Sequence, residues 1–206
     1  MLANMAELTP EPEANPDRFG ANNLDPISIV ELREVLRTMR DKAPGPTGIR
    51  RKHLIEAPNN IILAYCNIFN ASLAAGYFPS AFKNAEMVFI PKNGARKLIK
   101  QRPISLLEVP GKWYEKTLQR RLMVHLCTGN LLNPHQFGFR PNRGNTTALA
   151  LLWETTAHCR DKGQNVLVSL RDVSKAFDKV WLNGLRHEIL TLQHPAPFTA
   201  LLSSFL

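Results

Sequence analysis

Apolar residues recur at helical spacing through much of this chain, and at strand spacing in three short stretches. Ile27, Val30, Leu32, Val35, Leu36 and Met39 predict a first helix, with Asp25 or Ser28 as its cap. Ala43-Pro-Gly-Pro-Thr-Gly48 stops it, because two prolines and two glycines leave no helical path. A second helix is predicted over 59–75, burying Ile62, Tyr65, Cys66, Phe69 and Leu73 and ending at Gly76-Tyr-Phe-Pro79. Met87–Ile90 and Pro103–Leu107 read as two short strands. The polar loop of residues 93–101 between them carries Arg96, Lys97 and Lys100.

Residues 109–127 predict a longer helix with Val109, Trp113, Leu118, Leu122 and Leu126 inward, and Lys112, Lys116, Arg120 and Arg121 largely outward. Another helix covers 144–161. The third strand is the most informative stretch. Val166, Val168, Leu170 and Asp172 share one face if 166–172 is extended. After Asp172 the period changes, and Val173, Ala176, Phe177, Val180 and Trp181 recur at three- and four-residue steps, as on an amphipathic helix. Helices beside a small sheet make the chain α+β in character. A carboxylate at such a strand-to-helix junction either caps the helix or holds a cation at the rim of the sheet. Residues 1–24, rich in Pro, Glu, Asn and Ala without an apolar period, predict a mobile acidic leader. The length allows one domain over residues 25–206, or one and a piece of a second.

Charge changes the picture more than composition does. The net charge is +9, but residues 1–34 contribute −5 and the remainder +14. A basic body of this strength suits a polyanion, whether nucleic acid or an anionic membrane surface. Cys66, Cys127 and Cys159 are odd in number and widely spaced, which speaks against a disulfide framework or a zinc site. No apolar run is long enough to span a bilayer, and no signal-peptide layout stands at the start. The expectation is a soluble, intracellular protein with no membrane partner.

Asp172-Val-Ser-Lys-Ala-Phe-Asp178-Lys-Val resembles the first catalytic motif of the reverse transcriptases of non-LTR (LINE-like) retrotransposons. Three other stretches resemble that family in the expected order: Lys42-Ala-Pro-Gly-Pro-Thr-Gly-Ile49; Ile90-Pro-Lys92 followed by Arg102-Pro-Ile-Ser-Leu-Leu107; and Gln136-Phe-Gly-Phe-Arg140. Together they span roughly two thirds of the chain. The resemblance implies a fingers subdomain plus an incomplete palm, of the RNA-recognition-motif type, of a right-hand polymerase. It implies RNA-directed DNA synthesis on an RNA template and DNA primer, with dNTP as substrate and Mg2+ as cofactor.

By the same resemblance, Asp172 is the catalytic carboxylate and holds metal together with the backbone carbonyl of Val173. A carboxylate is the right donor for magnesium, which prefers hard oxygen ligands. Phe177 matches the gate that excludes a 2′-hydroxyl, although its place in the helical stripe equally suits a core contact. Lys92 and Arg102 are implied to clamp the triphosphate, Lys as a point charge and Arg as a bidentate donor. Gln136, Gly138 and Arg140 match the template-contacting segment, where a structural turn is the other reading. Asp178 reads as structural, paired with Lys175 or Lys179. The chain departs from the family pattern in three ways. Arg171 replaces an apolar residue, Thr47 stands where an acid is usual, and no two Asp residues are adjacent, so the paired-Asp motif is missing. One carboxylate cannot hold two metals, so these residues alone are expected to be inactive. The rival reading is a non-catalytic nucleic-acid-binding remnant acting through its basic face.

Overall fold

A computed structural model describes residues 25–91, 101–192 and 194–206, with the side chains of Gln101 and Arg102 excepted. The expected leader, residues 1–24, lies outside them, as do Lys92, Arg96, Lys97 and Lys100. The described residues form two units: residues 25–125 with 182–206, and residues 126–181.

In the first unit, apolar periodicity becomes helix where expected. Helix α1 (Ile29–Thr38) starts at Ser28, whose Oγ accepts from the Glu31 amide at 3.1 Å. Ser28, not Asp25, is the cap. Helix α3 (Asn59–Ala75) follows the short α2 (Arg51–Ile55) and buries Ile62, Cys66, Phe69 and Leu73. Gly76 ends α3 at φ +60°, and a Cβ there would lie 2.8 Å from Ala200 Cβ. Glycine is therefore required twice, for the left-handed turn and for the close approach of helix α7 (Ala196–Phe205). Strands β1 (Ala85–Pro91) and β2 (Gln101–Leu107) pair antiparallel, from Ala85 opposite Leu107 to Pro91 opposite Gln101. This hairpin is the only sheet among the described residues.

Helix α4 (Val109–Thr128) threads the core of this unit. Its Tyr114 ring stacks on Phe69 at 4.4 Å and on Phe78 at 5.3 Å, while Trp113 meets Phe69 edge-on at 5.6 Å. All four are fully buried. Aromatic pairs in such geometries add about 0.5–1.5 kcal/mol each beyond their area burial. Each polar tip is satisfied: Trp113 Nε1 donates to Leu32 O at 2.9 Å, and the Tyr114 hydroxyl meets Ser72 Oγ at 2.9 Å. Burial pushes the Tyr114 phenol up to about 12.

Two expectations for this unit need correction. Val30 is 69% exposed, because the stripe that α1 buries runs through Leu32, Val35 and Leu36. Arg121, expected outward, is buried and paired with Glu31. Its Nε donates to Glu31 Oε1 at 2.9 Å, one terminal amino group to Oε2 at 2.7 Å, and the other to Asp25 O at 2.5 Å. A fork-on-carboxylate pair is what lets a guanidinium sit in a core.

The family-like loop after α1 is pinned rather than free. The Thr47 amide and hydroxyl both donate to the Glu108 carboxylate, at 2.8 and 2.5 Å. A Cβ on Gly45 would lie 2.8 Å from Glu108 N, so the backbone of the loop runs against the start of α4. Thr47 thus uses its hydroxyl as a donor to an acid, which a carboxylate at that position could not do.

In the second unit, helix α5 (Asn145–Asp161) forms as expected, but the strand does not. Residues 164–173 carry no regular structure and 174–179 form turns instead of a helix; the next helix, α6, is Leu182–Thr191. Leu167 and Leu170 are 96% and 90% exposed. A strand exists only through hydrogen bonds to a neighbour, and no other strand lies in this unit to supply them. Among the described residues, no helix is long and apolar enough to cross a membrane.

Candidate functional site

The unit of residues 126–181 carries both the template-like segment and the acidic motif. Its loop of residues 131–143 folds around two carbonyls. Asn133 Oδ1 accepts from His135 N at 2.9 Å, and Asn133 O accepts from Gln136 N at 2.9 Å and from an Arg140 amino group at 3.2 Å. An Arg143 amino group donates to Pro134 O, and its guanidinium stands 5.9 Å from the centre of the Phe137 ring. Two guanidinium groups therefore gather at one turn. Arg143 was not among the residues expected here; its spacing of three from Arg140, across Pro141 and Asn142, was the available signal.

Gln136, Gly138 and Arg140 stay together in this loop. Gln136 Nε2 donates to Gly138 O at 3.3 Å, and a Cβ on Gly138 would make only an ordinary contact at 3.7 Å. The chain's own packing thus does not demand glycine there. Phe139, next to Arg140 in the chain, adopts φ +60° and is 86% exposed, an apolar ring presented to solvent.

Asp172, Val173 and Phe177 lie on one exposed, irregular stretch. No helix begins at Asp172, so the capping alternative does not hold. Phe177 is 82% exposed, so it is not the core contact its spacing allowed. Lys175 takes φ +55°, and Lys179 N donates to Lys175 O at 3.1 Å, closing the turn. The expected pairing of Asp178 with Lys175 or Lys179 is not formed: the salt bridges among the described residues are Arg120–Glu34 and Arg121–Glu31. Arg102 stands opposite Ile90 in the hairpin, which belongs to the other unit, while Lys92 lies outside the described residues.

The donor set does not fit a two-ion centre. Polymerase chemistry of that kind uses two divalent ions about 3.5–4 Å apart. Among the described residues, no three His, Cys, Asp or Glu side chains gather as ligands. Asp172 with one carbonyl is at most a part of such a centre.

The reverse transcriptase (RNA-dependent DNA polymerase) family profile matches residues 90–206, more than half of the chain and all of the loop and motif just described. The chain belongs to the reverse transcriptase family. Its relatives include the probable RNA-directed DNA polymerase from transposon X-element of Drosophila melanogaster, 32% identical over 184 residues, or 88% of this chain and 20% of that protein. The RNA-directed DNA polymerase from mobile element jockey of Drosophila funebris is 30% identical over 184 residues, again 88% and 20%. The probable polymerase from transposon BS of Drosophila melanogaster is 30% identical over 186 residues, covering 89% and 20%. This reverse transcriptase chain therefore spans about one fifth of the length of these relatives. The match extends beyond the 42–181 stretch on which the sequence motifs lie, reaching the α6–α7 segment.

Proposed function

We propose that these residues are the fingers and the beginning of an RNA-recognition-motif-like palm of an RNA-directed DNA polymerase from a non-LTR retrotransposable element. The observation that carries this reading is the coincidence of the reverse transcriptase match, residues 90–206, with an Asp172-to-Phe177 motif that the chain's own packing does not explain. Neither side chain is used as a cap or a core contact, so a structural role does not account for them.

In the complete polymerase, Asp172 and the Val173 carbonyl contribute to the magnesium site, and further carboxylates come from elsewhere. Phe177 lies against the sugar of the incoming dNTP and leaves no room for a 2′-hydroxyl. Lys92 and Arg102, on the β1–β2 hairpin, neutralise the triphosphate, where fixed cations act without reorganising. Gln136, Gly138 and Arg140 hold the RNA template, with Arg140 meeting phosphate. These assignments follow the family resemblance residue by residue. The 206 residues alone, with Asp172 as the one carboxylate assigned to metal and no paired-Asp motif, do not extend a primer.

The test is a full-length chimera in which these 206 residues replace the matching fifth of the jockey polymerase. Asp172→Asn abolishes primer extension there and leaves RNA binding within a few-fold. Extension that survives the change removes Asp172 from the site. Phe177→Val admits ribonucleotides, and unchanged sugar selection removes the gate.

A further inference from the structure

The β1–β2 hairpin is a long arm on a narrow base. β1 is exposed along its whole length, and so are Pro103, Ile104 and Ser105 of β2. Seven residues at the rise of a strand make the arm about 23 Å long. Both of its strands are gripped where they meet the start of α4. β1 follows a 3-10 turn, Ser80–Phe82, whose Phe82 ring meets Phe69 at 6.0 Å; a Cβ on Gly111 of α4 would lie 3.0 Å from Phe82 O. β2 passes into α4 through one residue, Glu108, between Leu107 and Val109. Glu108 O accepts from Lys112 N at 3.0 Å, so this residue already belongs to the helix start.

We propose that the Thr47–Glu108 contact is a positioning latch that sets the angle of this hairpin, and through it the grip on the incoming dNTP. The second part rests on the polymerase reading, in which Lys92 and Arg102 neutralise the triphosphate. Arg102 stands opposite Ile90, one pair from the far end of the arm.

The latch closes on Glu108 from two directions. Its carboxylate accepts from the Thr47 amide at 2.8 Å and from the Thr47 hydroxyl at 2.5 Å. Gly45 of the same loop is packed on the backbone of the joint, where a Cβ would lie 2.8 Å from both Leu107 C and Glu108 N. The loop is itself braced: Gly48 N donates to Gly45 O at 3.0 Å, and the Thr47 hydroxyl accepts from Ile49 N at 3.4 Å, leaving its proton for Glu108. An ionised acceptor makes such bonds stronger than neutral ones. Leverage makes the joint consequential, since a turn of roughly 10° at Glu108 carries the end of the arm about 4 Å. Misplacement by about 1 Å can cost a hundredfold where chemistry depends on position. The pair also accounts for one departure from the family pattern. Where an acid is usual at 47, this chain holds its acid across the contact at 108, and acids on both sides would repel.

The experiment is single-nucleotide extension by the jockey chimera, titrated with dNTP on saturating RNA template and DNA primer. Thr47→Asp raises KM for dNTP about tenfold and leaves kcat within about twofold. Adding Glu108→Gln, which sets an amide donor opposite the new carboxylate, returns KM to within about threefold of the unchanged chimera. Loss of folded enzyme lowers the apparent kcat and leaves KM, so simple destabilisation gives the opposite split. An unchanged KM in Thr47→Asp, or a double variant worse than the single, would overturn the latch. Arg102→Gln tests the clamp by itself. A raised KM there with none in Thr47→Asp would defeat the latch alone; the reverse would defeat the Arg102 assignment and keep the latch. Hydrogen exchange of the 206-residue chain reads the contact without chemistry: the Thr47 amide is protected, and Glu108→Ala speeds its exchange about tenfold. A Thr47 amide already exchanging at the unprotected rate would also overturn the proposal.

Discussion

Every buried side chain in the described residues belongs to one unit. Residues 25–125 with 182–206 hold sixteen buried apolar residues; residues 126–181 hold no buried residue at all. Both are similarly supplied with Leu, Val, Trp and Phe, so hydrophobicity alone does not make a core. What differs is the presence of a facing element. Helices α1, α3, α4 and α7 each bury a stripe against a neighbour, whereas Val166–Leu170 has a strand's alternation and pairs with no strand among the described residues. A strand depends on partners distant in sequence in a way that a helix, which satisfies its own backbone, does not.

The sharpest way to break the contrast is to open the packed unit. Phe69→Ala removes the ring that Tyr114, Trp113 and Tyr65 share, and costs about 3–5 kcal/mol by denaturant titration. A loss under 1 kcal/mol would mean the aromatic core is not formed. Arg121→Met alone leaves Glu31 buried without its fork and costs about 3–5 kcal/mol; adding Glu31→Leu recovers most of that. If the double variant is no better than the single, the pair is not isolated from the rest of the core.

A gentler probe uses acid. His194 is buried, its ring 3.9 Å from that of His125, and burial first, then His125, pulls it down to about 4. Its folded pKa is below the ordinary 6.5, so the unfolded chain takes up the proton first. The packed unit should therefore keep its full stability above pH 6.5, and lose at most about 3 kcal/mol as pH falls from 6.5 to 4. His194→Gln flattens that part of the pH profile, and an unchanged profile would assign the loss to other groups. The smallest effect belongs to the open unit: Leu167→Asp and Leu170→Asp each change stability by less than about 0.5 kcal/mol. A cost above 1 kcal/mol would show the segment packed in solution.

Local signals were legible where the answer was local. The bounds of α3 follow from its stripe and from Gly76, and α4 and the two strands from their patterns, each strand running further than its apolar centre. Arg121 was not legible, because a cation on a helix reads as solvated until its acid is known, and Glu31 stands ninety positions away. Helices α6 and α7 follow the 172–178 motif and have no counterpart among the elements that the periodicity predicts. At the candidate site, the sequence pattern singled out Asp172 and Phe177 by family likeness. It also showed a strand's period over residues 166–172, where no strand forms, because a period cannot supply the neighbour on which a strand depends.

Hydrogen exchange of residues 166–172, in the 206-residue chain and in the full-length jockey chimera, tests this most directly. The account predicts amides exchanging at nearly unprotected rates in the short chain, while α3 and α4 are protected, and slow exchange of the same seven residues in the chimera. Fast exchange in both would contradict it, because Asp172 would then end no strand, and no palm would be built upon it.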